Sequence, residues 1–138
     1  MKRMVLDASV ALAWFIDNPI PHYAIHIQQA LIHGADAVVP SLWHLEIANG
    51  LANAERRRTL SSADLTVSLV QLEKLSGRFE TDINPLSARQ ALSVARSFHL
   101  SAYDGAYLET ARTNALPIAT LDKELRTAAT KAGIEIFS

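Results

Sequence analysis

Short apolar runs alternate with longer segments of helical periodicity along the whole chain. Met4-Val5-Leu6 is an apolar run closed by Asp7 and reads as a buried strand. Ala8 to Phe15 reads as a helix, and His22 to His33 as a second one stopped by Gly34. Ala37-Val38-Val39, ended by Pro40, is the next strand, and Ser41 is placed to cap a long helix running to about Arg57. Ser61 and Asp64 form a capping box for a helix from Ser62 to Leu75. Phe79 to Ile83 alternates apolar and polar positions, the pattern of an edge strand. Ser87 with Gln90 signals a helix to about Phe98, and Ser101 opens another through Arg112. Leu116 to Thr120 is a strand, Asp122 to Ala132 a helix, and Ile134 to Phe137, after Gly133, a last strand.

This alternation predicts an α/β fold: a central, mostly parallel sheet of about five short strands flanked by helices. A chain of 138 residues is the length of one domain, 1–138, with no repeat or linker to divide it. A hydrophobic share of 49% excludes a disordered chain. The absence of cysteine excludes a disulfide framework, a thiolate nucleophile and a Cys-based zinc site, and suits a reducing cytoplasm. Lys2 and Arg3 before the apolar stretch Ala8–Ile16 imitate a signal peptide. Asp7 at its mouth and Asp17-Asn18-Pro19 after it do not fit one. No apolar run approaches the roughly 18 residues of a membrane span, so a soluble, cytoplasmic protein is expected. With a net charge of −1, any attraction to nucleic acid has to come from a local patch or from metal ions.

In parallel α/β sheets ligands bind beyond the carboxyl ends of the strands. Asp7 ends the first strand and Asp122 follows the fourth; each could instead cap the helix that follows. Glu46 is the only charge between Ala37 and Ala54, on a helix face shared with Leu42, Leu45 and Asn49. A carboxylate there needs compensation, from a distant Arg or from a metal ion. Asp104 could complete a capping box with Ser101, while Gly105 and Ala106 beside it leave room for a ligand. Four clustered carboxylates repel one another unless a cation intervenes, and hard divalent ions such as Mg²⁺ or Mn²⁺ favour oxygen ligands. Such ions activate water and stabilise the charged transition state of phosphodiester cleavage.

The segments Val5-Leu6-Asp7-Ala8-Ser9, Leu45-Glu46-Ile47-Ala48-Asn49, Leu100 to Leu108 and Ala119-Thr120-Leu121-Asp122 closely resemble the PIN domain of VapC-type toxins. They occur in the family's order and span nearly the whole chain. The resemblance implies a metal-dependent ribonuclease, using Mg²⁺ or Mn²⁺ and paired with a cognate antitoxin. By motif, Asp7, Glu46, Asp104 and Asp122 match the acidic quartet, and Ser9 and Thr120 the polar positions that support it. Gly105 stands where many relatives carry Ala. The resemblance also suggests a homodimer, and an antitoxin peptide lying in the active-site groove.

Other residues invite weaker readings. Arg89 and Arg96, seven apart, share a helix face that is either solvated or a contact for RNA phosphates or antitoxin. Arg56-Arg57-Arg58 either suits a helix C-terminus or contacts RNA or antitoxin. His22 and His26 have metal-like spacing but no evident third ligand, and Trp14, Phe15 and Trp43 read as core or oligomer-interface residues, with stacking on RNA bases the lesser alternative. Two rival functions stand beside the nuclease. A phosphoacceptor signalling domain would need a second acid beside Asp7 and an acceptor Asp after a central third strand. A catalytically silent protein-binding module would use the fold alone.

Overall fold

The computed structural model describes residues 2–138. Four strands, β1 (Arg3–Leu6), β2 (Asp36–Pro40), β3 (Phe79–Asp82) and β4 (Ile118–Ala119), form a wholly parallel sheet in the order β3-β2-β1-β4. Helices α1 (Ala8–Ile16) and α2 (His22–Ile32) connect β1 to β2; α3 (Leu42–Arg56) and α4 (Ser62–Lys74) lead to β3. Helices α5 (Ala88–Phe98) and α6 (Ala102–Asn114) lead to β4, and α7 (Lys123–Lys131) follows it.

The apolar content of each strand matches its place. Met4, Val5 and Leu6 of β1 and Ala37, Val38 and Val39 of β2 are buried, as strands covered on both faces must be. β3, with its alternating Phe79-Glu80-Thr81-Asp82, lies at the edge, as its pattern predicts. The expected fifth strand is reduced to a single parallel bridge between Ile136 and Ile118. β4 itself has only two residues, and Pro117 before it has no N–H to extend a ladder.

The capping boxes of Ser61 with Asp64 and Ser87 with Gln90 both form. Ser41 does not cap α3: its backbone is already helical and its side chain makes no capping bond. Trp14 and Trp43 belong to the core, Trp14 donating its indole N–H to the Ala24 carbonyl at 2.8 Å. Phe15 packs against that core half-buried.

This topology sets the site. The chain leaves β1 toward β2 on one side, while β4 pairs on the other, so β1 and β4 flank a switch point where their carboxyl ends open a crevice. Asp7 N–H donates to the Ala119 carbonyl at 2.9 Å, which brings the residues after both strands together.

Candidate active site

Asp7 stands at the N-cap position of α1 but makes no capping bond, so its capping reading falls. Its Oδ2 accepts from Thr120 Oγ1 at 2.6 Å and from Ser9 Oγ at 2.7 Å. Both hydroxyls are fixed in turn: Ser9 Oγ accepts the Leu121 N–H at 3.1 Å, and Thr120 Oγ1 the Asp122 N–H at 3.0 Å. One carboxylate oxygen, Oδ2, is thereby held by both hydroxyls. Asp7 is 5% exposed. Burial raises its pKa, against the pull of the two hydroxyls, and the Asp122 charge raises it further.

Asp122 does cap α7, its Oδ1 accepting from the Leu125 N–H at 2.9 Å, and its second oxygen has no protein partner among the described residues. Asp104 makes half of the expected box. Its N–H donates to Ser101 Oγ at 3.1 Å, but its carboxylate does not return the bond. Of its small neighbours, Gly105 is buried beside Val94 of α5, so its lack of a side chain serves helix packing rather than ligand room.

Glu46 has no Arg partner among the described residues. The Tyr107 hydroxyl donates to its Oε1 at 2.5 Å. The apolar face expected around it is also different. α3 buries Trp43, Ile47, Leu51 and Ala54, whereas Leu45 is 74% exposed, so Glu46 sits half-buried at the border of the packed stripe. Burial raises its pKa, opposed by the Tyr107 bond and reinforced by the Asp7 charge.

Tyr107 is the residue that sequence reasoning passed over. It is fully buried, and its oxygen also accepts the Ala8 N–H at 3.4 Å, tying Glu46 to the start of α1. Burial, and then its bond to Glu46, hold the phenol far above its usual pKa, so it stays a donor. Its spacing of three from Asp104 puts it on the same side of α6, a signal available in the sequence. Arg126 was also missed. Its Nε donates to the Thr120 carbonyl at 2.8 Å, and its guanidinium lies 4.5 Å from the Tyr23 ring centre. It steadies the carboxyl end of β4.

Asp104 registers the convergence of the four acids. Its pKa is pushed up to about 6, first by burial and then by the charges of Asp122, Asp7 and Glu46. Arg89 and Arg96 are exposed on α5 without ion-pair partners among the described residues. Arg89 lines a groove with Glu109 and Arg112, at the end of α6 opposite Asp104, so it does not join the quartet. His22 and His26 are exposed on α2.

The donor set fits a hard divalent cation: carboxylate oxygens in a half-buried setting, with no sulfur or imidazole among them. Among the described residues, no three acidic or His side chains are close enough to enclose an ion on their own.

A parallel α/β sheet with convergent carboxylates at its switch point defines a class of acidic-site α/β proteins. Within that class the chain belongs to the PIN domain family, whose model matches residues 4–131. PIN domains are nucleases, generally hydrolases, and typically use divalent metal ions. The fold is similar to that of PAE2754 from Pyrobaculum aerophilum, with a TM-score of 0.69 and 22% identity, covering 92% of this chain and 84% of the other. It is also similar to FitAcB from Neisseria gonorrhoeae, with a TM-score of 0.66 and 22% identity, covering 98% of this chain and 96% of the other. No curated protein matches the sequence.

Proposed function

We propose that the chain is an endoribonuclease dependent on Mg²⁺ or Mn²⁺, and the toxin of a VapBC-type pair that inhibits translation and growth. The observation that supports this most is the pairing of β1 with β4, which brings Asp7 and Asp122 together, with Glu46 near enough to join them in raising the Asp104 pKa and none of the four ion-paired among the described residues. Asp7, Glu46, Asp104 and Asp122 would hold the ion or ions, directly or through water. When bound, a hard divalent cation supplies positive charge for the scissile phosphate and a more acidic water.

The residues of the chain supply orientation. Ser9 and Thr120 hold Oδ2 of Asp7 in place. Tyr107 holds Glu46 as an acceptor, and Arg126 braces the turn between Thr120 and Asp122. The VapC-type assignment and the antitoxin partner rest on the motif resemblance, as does the homodimer. Cytoplasmic localisation fits that reading and the lack, among the described residues, of any helix long and apolar enough to cross a membrane. Exposed Arg96, and more distantly Arg89, are candidate contacts for RNA or antitoxin.

The test is cleavage of RNA by the purified protein with Mg²⁺ or Mn²⁺, with EDTA, and in the Asp7→Ala variant. Wild type should cut only with metal, and Asp7→Ala should be folded and inactive. A folded Asp7→Ala protein with full activity would end the reading. Co-expression with the product of an adjacent antitoxin frame should suppress the cleavage.

A further inference from the structure

We infer that a cleft beside the acidic quartet seats a nucleobase of the RNA strand, an assignment that rests on the ribonuclease reading above. The cleft, about 520 Å³, lies between the ends of β2 and β3 and the first turns of α6. That volume falls within the range of about 300–1,000 Å³ usual for small-molecule sites. Two of its lining side chains, Tyr103 and Ile83, are 65% and 88% exposed and take no part in the core.

A nucleobase has apolar faces and polar edges, and the cleft offers both complements. Tyr103, Ile83, Leu42 and Leu86 supply apolar surface. Asp82 is oriented by the Asn84 N–H at 3.0 Å and by Asn114 Nδ2 at 3.1 Å. An oriented carboxylate accepts from an exocyclic amino group on a base edge. The Asn84 side chain makes no hydrogen bond within the described protein and can read a base edge as well. No Lys or Arg lines the cleft, so it suits a neutral base and not a phosphate.

Its position links it to the chemistry. Tyr103 and Ala106 line the cleft, and the residues that follow them, Asp104 and Tyr107, belong to the acidic site. Successive residues on a helix turn by about 100° and rise about 1.5 Å, so the two sites occupy adjoining faces of α6. Leu42 likewise lies one turn before Glu46 on α3. A phosphate at the quartet therefore has its neighbouring base within reach of the cleft.

The experiment is steady-state cleavage of a short single-stranded RNA in Mn²⁺ by wild type, Tyr103→Ala, Tyr103→Phe and Ile83→Ser. A matching RNA carries an abasic nucleotide next to the cut. Tyr103→Ala should raise KM roughly 10- to 100-fold, the scale of one lost base–aromatic stack, with kcat little changed. Tyr103→Phe should behave as wild type, and Ile83→Ser should raise KM more mildly. The abasic RNA should suffer the same loss in wild type and no further loss in Tyr103→Ala. An unchanged KM in Tyr103→Ala overturns the cleft and leaves the nuclease reading standing. Failure of wild type to cleave any RNA overturns the nuclease reading and the cleft with it. Sedimentation showing that Tyr103→Ala or Ile83→Ser splits a wild-type dimer means that a second copy covers the cleft, which also overturns the proposal.

Discussion

Glu46 is held by a tyrosine and, among the described residues, by no Arg or Lys, and that difference sets what its removal does to the metal-free protein. Tyr107 donates to Oε1, a bond that the amide oxygen of a glutamine can also accept, without the assistance of the charge. Glu46→Gln should therefore leave the metal-free protein within about 1 kcal/mol of wild type, the net scale of one hydrogen bond that is weakened and not lost. A stranded buried Arg would instead cost roughly 3–5 kcal/mol. Denaturant melts in EDTA separate the two, and metal affinity and RNA cleavage should fall together in the variant. The lone charge on α3 was legible in the sequence, but its partner was not: Tyr107 lies 61 positions away, and nothing local pairs them. Asp104 carries a second expectation at this scale. Its usual pKa is 3.8, and in the folded protein it is about 6. Between those values the folded state holds the proton that the unfolded chain has released, so metal-free stability should fall as pH rises from about 4 to 6 and level off above. Asp7 and Glu46, raised in the same direction, act with it. Chemical denaturation across that range in EDTA checks this; an Asp104→Asn protein should show a flatter profile, and an identical one would detach Asp104 from the cluster.

At the level of elements, two aspartates that look alike in the sequence have different structural duties. Each follows a strand and precedes a helix, and capping was an open reading for both. Asp122 caps α7 through the Leu125 N–H, whereas Asp7 turns away from α1 to accept from Ser9 and Thr120. The reason lies in the neighbours: a hydroxyl at position 9 and another at the end of β4 compete for Asp7, and none competes for Asp122. Asp122→Ala should thus cost about 0.5–2 kcal/mol of stability, the loss of an N-cap. Asp7→Ala, which removes a buried charge and no cap, should cost less or even stabilise the metal-free protein. Thermal melts in EDTA rank the pair, and equal losses would contradict the geometry. The other caps show how far local sequence reaches. Ser61 with Asp64 and Ser87 with Gln90 form as read, because a capping box is closed within four residues. Ser41 fails because the chain is already helical when it leaves β2, a consequence of tertiary position.

For the whole molecule, the sheet order decides that four scattered acids meet. The apolar runs disclosed the strands and their parallel sense, but not that β4 pairs beside β1; only that pairing brings Asp122 to Asp7. The ordered motifs carried that information through resemblance, where periodicity could not. The shortfall in the last strand is of the same kind, since a two-residue β4 leaves Ile136 a single bridge. Net charge is −1, so self-repulsion is not a property of the molecule at large but is concentrated at the switch point. A divalent cation that binds there binds only the folded state and should stabilise the entire domain. At a free concentration about 100 times Kd the gain is roughly 2.7 kcal/mol, which for a chain of this size raises Tm by about 8–12 °C. Monovalent salt at equal ionic strength should give little of this, because half-buried charges are poorly screened. In Asp104→Asn the metal-free Tm should start at or above that of wild type and the metal-induced rise should shrink by more than half, since one ligand charge and its share of the repulsion are gone together. Scanning calorimetry of both proteins with EDTA, Mg²⁺ and Mn²⁺ reads all of these quantities at once, and an equal metal-induced rise in the two would place the ion somewhere other than the quartet.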